Sequence, residues 1–293
     1  MNPTRAIQRS PAVALVGAGA VSVQFGAAFA TRLFRRVGPA GAVTLRLVVA
    51  ALVLVVAVRL LPRPRRVASA ADRAVVVGFG AVMAVMNLSF YEAIARIPLG
   101  VAVTIEFSGP LCLALVSSRR WRDGLLAAAA GAGVVLLASG VGRRLDAAGV
   151  VYALLAGVFW VGYILLSRET GRRYESVGGL AWAMAVGAAL TLPFGVASGG
   201  AELLRPGVLG LGLVVGVMSS VIPYSLELMA LRRVTARAFG VMMSLDPALA
   251  TAAGFLVLGQ RLDLREWIAL ALVVGANLGN ALGGSAEATA VTP

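Results

Sequence analysis

Apolar stretches of about twenty residues follow one another along this chain, broken only by short turns of Arg, Pro or acidic residues, and few folds accept that pattern. The chain has 293 residues, of which 59% are hydrophobic and only 13% charged, with mean hydropathy +0.90. No soluble domain of this length needs so little charge, so the expected fold class is all-α integral membrane. Ten candidate transmembrane helices cover 12–31, 40–61, 74–93, 98–118, 124–141, 148–167, 177–197, 207–229, 237–259 and 266–283. The connections are short throughout and leave no room for a separate soluble domain. Arg5 and Arg9 ahead of an apolar stretch from Ala12 resemble a signal peptide, with Ala28-Phe29-Ala30 as a cleavage-like site. That stretch exceeds the usual apolar core of about 7–15 residues and more spans follow, so it reads as an uncleaved first helix.

The net charge of +13 invites a nucleic-acid reading. The basic residues, however, lie in short clusters between apolar runs, as membrane anchors do, and no nucleic-acid partner is expected. With the N-terminus cytoplasmic, the inside segments carry 16 Arg and the outside segments 9, with Arg46 left inside a span. The bias predicts both termini in the cytoplasm. Arg32, Arg35 and Arg36, on the outside after the first span, run against it.

Absences narrow the chemistry further. There is no His, so histidine bases and Ser-His-Asp triads are excluded. All 26 basic residues are Arg, so there is no Walker lysine and no Schiff base. The single Cys112 allows neither an intrachain disulfide nor a Cys/His zinc site. No cofactor and no metal is expected, and an ATP-driven pump made of this chain alone is excluded. A membrane-embedded transferase would need charge clustered on its loops, which are too short and sparse. An aspartyl protease needs two intramembrane Asp, and Asp246 is the only one inside a span. A channel would need a ring of repeated charges.

The two halves match weakly. Ala93-Ile-Ala-Arg-Ile-Pro-Leu-Gly100 lies over Ala230-Leu-Arg-Arg-Val-Thr-Ala-Arg237 at an offset of 137, which also places Pro110 on Pro247. The domains expected are therefore two repeats, 12–141 and 148–283, of five helices each. An odd number of spans forces the second copy to enter from the opposite side, giving the inverted topology that supports alternating access around a midplane site.

Most acids lie in loops or at span edges, where solvated charge is the plain reading. Glu106 does not. It lies near the middle of 98–118, within Thr104-Ile-Glu-Phe-Ser-Gly-Pro110, where a carboxylate costs roughly 2.5–3.5 kcal/mol to insert and is functional by default. Pro110 has no N–H, so the Glu106 carbonyl loses its helical partner. An acid beside broken helix suits a site for a small polar solute, whose ammonium, or a competing proton, Glu106 would bind. Arg46 lies at similar depth in the second span and could pair with Glu106 or hold a substrate carboxylate; a zwitterionic amino acid would satisfy both. Asp246, before Pro247, falls on Gly109 in the repeat, one turn from Glu106. Glu92 and Glu227 lie near span ends, where a structural role is expected. Gln24, Asn87, Tyr91, Trp160, Tyr163, Tyr224, Asn277 and Asn280 could line a cavity or bond helix to helix. Gly212/Gly216 and Gly275/Gly279 have the spacing of close helix packing.

Val37-Gly-Pro-Ala-Gly-Ala-Val-Thr-Leu-Arg-Leu47, Ile97-Pro-Leu-Gly-Val-Ala-Val-Thr-Ile-Glu-Phe-Ser-Gly-Pro-Leu111, Ile222-Pro-Tyr-Ser-Leu-Glu-Leu228 and Ala236-Arg-Ala-Phe-Gly-Val-Met-Met-Ser-Leu-Asp-Pro-Ala-Leu249 resemble the EamA family of the drug/metabolite transporter superfamily. The resemblance spans about 12–283. It implies a ten-helix fold of two EamA repeats in the cytoplasmic (inner) membrane. It also implies export of small amino acids such as threonine and homoserine, or of other small metabolites or drugs, driven by protons. By position it assigns Arg46, Glu106, Tyr224 and Glu227 to the substrate or proton site. Asp246 stands where that branch tends to have Glu, and Gln260, which cannot ionise, stands where the repeat's closing motif usually has Glu.

Overall fold

The computed structural model describes residues 3–59, 69–116, 121–138, 145–174, 178–223, 226 and 245–283, and among these no strand occurs. Apolar runs become helices: α1 (Pro3–Arg59), α2 (Ala70–Ile94), α3 (Leu99–Glu106), α4 (Ser108–Val116), α5 (Trp121–Ala138), α6 (Ala147–Arg173) and α7 (Gly178–Gly199). A 3-10 turn at Gly200–Leu204 leads into α8 (Pro206–Gly216), a π-helical turn at Val217–Val221, and then α9 (Asp246–Leu258) and α10 (Leu264–Gly283). Four described segments are long and apolar enough to cross a membrane: Gly17–Arg59, Ala70–Ile94, Ala147–Arg173 and Gly178–Leu204.

The expected connection at 32–39 is not a loop. α1 stays helical on both sides of Gly38, which alone breaks it with φ 67°, ψ 172°. Left-handed φ is nearly free only for glycine, and a Cβ here would also lie 2.1 Å from the Ser198 hydroxyl. Ser198 in turn donates to the Val37 carbonyl at 2.8 Å, tying α7 to the break.

The second arm of α1, 39–59, packs along α7 and α8, while α2 packs between α6 and α7. Thr44 donates to the Thr191 carbonyl at 2.9 Å, and Gly212 and Gly216 lie against Leu45 and Val49, the close packing their spacing predicts. Gly275 has nothing within 4 Å of its Cβ position, so the second glycine pair does not make such a contact through it. α3 packs on α9 and α6, and α10 on α5.

Helix ends gather at two faces of the molecule. At one lie Gly38, Ser198 and the 3-10 turn, together with Arg96, Asp146 and Gln260 near the ends of α2, α6 and α9. At the other lie Ser69, Asp72, Glu169 and Arg173. Two acids expected to be solvated loop charges are instead buried caps. Asp72 shares a capping box with Ser69 and bonds Arg173 at 3.2 Å, and Glu266 shares one with Asp263. The exterior between the faces is apolar: Trp182, Phe194, Leu256 and Val158 are each about three-fifths exposed or more. A protein with an oily surface and Arg46, Glu106, Thr44, Thr191 and Asp246 buried is built for lipid.

Candidate functional site

Residue chemistry sets the break that carries Glu106. Pro110 cannot donate to the Glu106 carbonyl, and the helix divides there: α3 ends at Glu106 and α4 begins at Ser108. The Ser108 hydroxyl donates to the Ile105 carbonyl at 2.7 Å, covering one acceptor that the break exposes. The Glu106 carbonyl faces α6 at Gly157, where a Cβ would lie 2.6 Å from its oxygen. A Cβ on Gly109 would lie 2.1 Å from the Gly157 carbonyl oxygen. The two glycines thus let backbone touch backbone, and Phe107 stands edge-on to Trp160 at 4.6 Å, locking the break against α6.

The other end of α3 is held by a residue that sequence reasoning set aside. Gln260 accepts a hydrogen bond from the Leu99 N–H at 3.0 Å, capping α3 through an amide oxygen. A charge is not needed for that bond, which accounts for Gln at a position where the family resemblance led to Glu.

Glu106 is buried, 8% exposed, and so is Arg46 at 5%. Arg46 lies within electrostatic range of the Glu106 carboxylate. The guanidinium is held by the turn at Ser219 and Ser220: Nε donates to the Ser220 hydroxyl at 3.0 Å and Nη2 to the Ser219 carbonyl at 2.8 Å. It also lies 5.6 Å from the centroid of the Tyr91 ring. Ser219 and Ser220 belong to the π-helical turn, where the extra residue per turn re-aims backbone carbonyls; such turns concentrate at functional sites. The Ser22 hydroxyl bonds the Met218 carbonyl at 2.8 Å and pins the same turn to the first arm of α1. Ser219 and Ser220 carried no sequence signal, since π-turns have no distinctive spacing in one chain.

Asp246 is buried at the first turn of α9, with Pro247 beside it. Across the packing of α9 on α3, Thr251 meets Gly100, where a Cβ would come within 2.2 Å of the Thr251 hydroxyl. Glu92 bonds Arg96 one turn on, the structural role expected for a span-end acid. Of the cavity candidates, Asn87 donates back to the Met83 carbonyl at 2.8 Å and Tyr163 packs on Phe79. Both therefore serve packing. Tyr224 and Glu227, and the side chains of Asn277 and Asn280, lie outside the described residues. No group of three or more His, Cys, Asp or Glu that could hold a metal occurs among the described residues.

An apolar exterior around a buried cation and acid marks a multi-pass membrane protein, and the proteins it is similar to are transporters rather than enzymes. The model of the EamA-like transporter family matches residues 147–281. The threonine/homoserine exporter RhtA of Salmonella typhimurium (strain SL1344) is 37% identical over 268 residues, covering 89% of this chain and 88% of the exporter. RhtA of Escherichia coli (strain K12) is 37% identical over 265 residues, with the same shares. One solved crystal structure, 22% identical, aligns with TM-score 0.62 over 96% of this chain and 99% of its own, a likeness of fold. The chain belongs to the EamA-like transporter family.

Proposed function

We propose that the protein is a secondary active transporter that exports small zwitterionic amino acids, of the threonine and homoserine kind, across the cytoplasmic membrane in exchange for protons. The observation that carries this reading is a cation and an acid, Arg46 and Glu106, both buried and within reach of each other's field. A zwitterion between them would present its carboxylate to Arg46 and its ammonium to Glu106, with both charges satisfied out of water. Proton binding at Glu106 would remove the ammonium's partner and release the solute, which makes the two exclusive and couples their opposite flow. Asp246, Tyr224 and Glu227 belong to the same site in this proposal, with Asp246 as a second proton or substrate acid.

The proposed frame is ten helices in two inverted five-helix repeats, 12–141 and 148–283, with both termini in the cytoplasm. Supporting it, α3–α4 and α9 each carry a proline in a first turn, Pro110 and Pro247, beside a buried acid. The names of the curated relatives support the amino-acid class. The test is uptake of labelled threonine or homoserine into everted vesicles under an imposed pH gradient. Uptake stops when an ionophore collapses the gradient; flux that continues unchanged refutes proton coupling. Another solute accumulating in their place would move the reading to a related metabolite or drug.

A further inference from the structure

Arg32, Arg35 and Arg36 occupy one turn and a half at the end of the first arm of α1 and are the residues that oppose the charge bias of the loops. All three are exposed, and no hydrogen bond or ion pair to them occurs among the described residues. They line a cleft of about 660 Å³ between α1 and the start of α8, with Leu33, Val208 and Leu211 as its apolar floor. Arg32 is stacked on Phe29 at 5.3 Å, which holds its guanidinium at the rim. Arg36 reaches across to Gly207, whose missing side chain leaves it space 3.7 Å from the Cβ position. In the first turn of α8, Pro206 has no N–H and the Val208 and Leu209 amides bond the Arg205 carbonyl at 2.9 Å, so the Gly207 amide is the one that no side chain caps. The neighbouring acid, Glu202, is already paired with Arg205 at 2.7 Å.

The cleft lies beside Gly38, where two apolar arms meet, and so at the level of lipid headgroups rather than in bulk water. Below it, Leu209 and Leu213 of α8 are exposed and apolar. We propose that this cleft binds the phosphate of an anionic phospholipid, with the arginines on the headgroup and an acyl chain along α8. A soluble anion would use the arginines but has nothing to place on Leu33, Val208 and Leu211; a phospholipid uses both. The proposal does not depend on which solute is transported.

The test uses the purified full chain in neutral detergent, titrated with phosphatidylglycerol, phosphatidylcholine or inorganic phosphate, with bound lipid counted by native mass spectrometry and stability followed by melting. Phosphatidylglycerol binds and raises Tm, and the R32A/R35A/R36A variant weakens binding on the order of a hundredfold, about fivefold for each charge near the surface. If that variant does not fold, Arg36→Gln alone still lowers the affinity about fivefold. The proposal is overturned if phosphatidylcholine binds as well, if the folded variant binds phosphatidylglycerol undiminished, or if inorganic phosphate gives the same stabilisation, which would make the cleft a soluble-anion site.

Discussion

Arg46 is fixed by geometry that lysine cannot copy: one donor to a hydroxyl, one to a carbonyl, and a flat face toward Tyr91. Ser220→Ala removes one charge-assisted bond, worth about 1.5–3 kcal/mol, and leaves the charge in place. The expected result is an apparent KM for threonine raised about tenfold in vesicles, with normal protein abundance in the membrane. Arg46→Lys lowers transport further still, and wild-type kinetics in that variant would detach Arg46 from the solute. For Glu106→Gln, exchange driven by the pH gradient is lost while the melting temperature changes little, because the side chain keeps its size and no hydrogen bond to the Glu106 carboxylate occurs among the described residues. Comparing flux with folded protein separates these outcomes from misfolding.

Along α6, two glycines make opposite predictions. Gly157 touches the Glu106 backbone, so Gly157→Ala forces α6 from the α3–α4 break and costs about 1–3 kcal/mol. Gly171 has nothing within 4 Å of its Cβ position, so Gly171→Ala adds helix propensity without a clash and stabilises by up to about 1 kcal/mol. Melting in detergent reads both. At the α1 break, Gly38→Ala must adopt a left-handed φ and displace Ser198 from its bond to Val37, so a lower Tm and lower membrane yield are expected. Unchanged stability in Gly38→Ala would mean that the break is not needed to join the arms of α1 to α7.

Across the whole molecule, the two faces on which helix ends gather must lie on opposite sides of the membrane for the proposed topology to hold. In a Cys112→Ser background, a cysteine at Glu202 reacts with an impermeant maleimide in intact cells, whereas one at Ser69 reacts only after permeabilisation. The reverse pattern would invert the proposed orientation. Labelling of both from one side would refute the alternation of spans. Accumulation of solute against its gradient distinguishes a carrier from a channel at the same scale.

Hydropathy and the placement of Pro110 by themselves determined a helical membrane protein and a helix broken beside Glu106, because burying unpaired backbone or charge in lipid is too costly to arise without a reason. They also made Arg46 a partner at similar depth. Local pattern could not show that α1 runs on through 32–37 to a single left-handed glycine, since the connection had the composition of a loop. Nor could it show that Asp72 and Glu266 are buried caps, that Gln260 closes the start of α3, or that a π-turn 174 residues from Arg46 aims its guanidinium. Those facts depend on which helices touch. Contact between distant segments is fixed by packing in three dimensions, and no period within a single run encodes it.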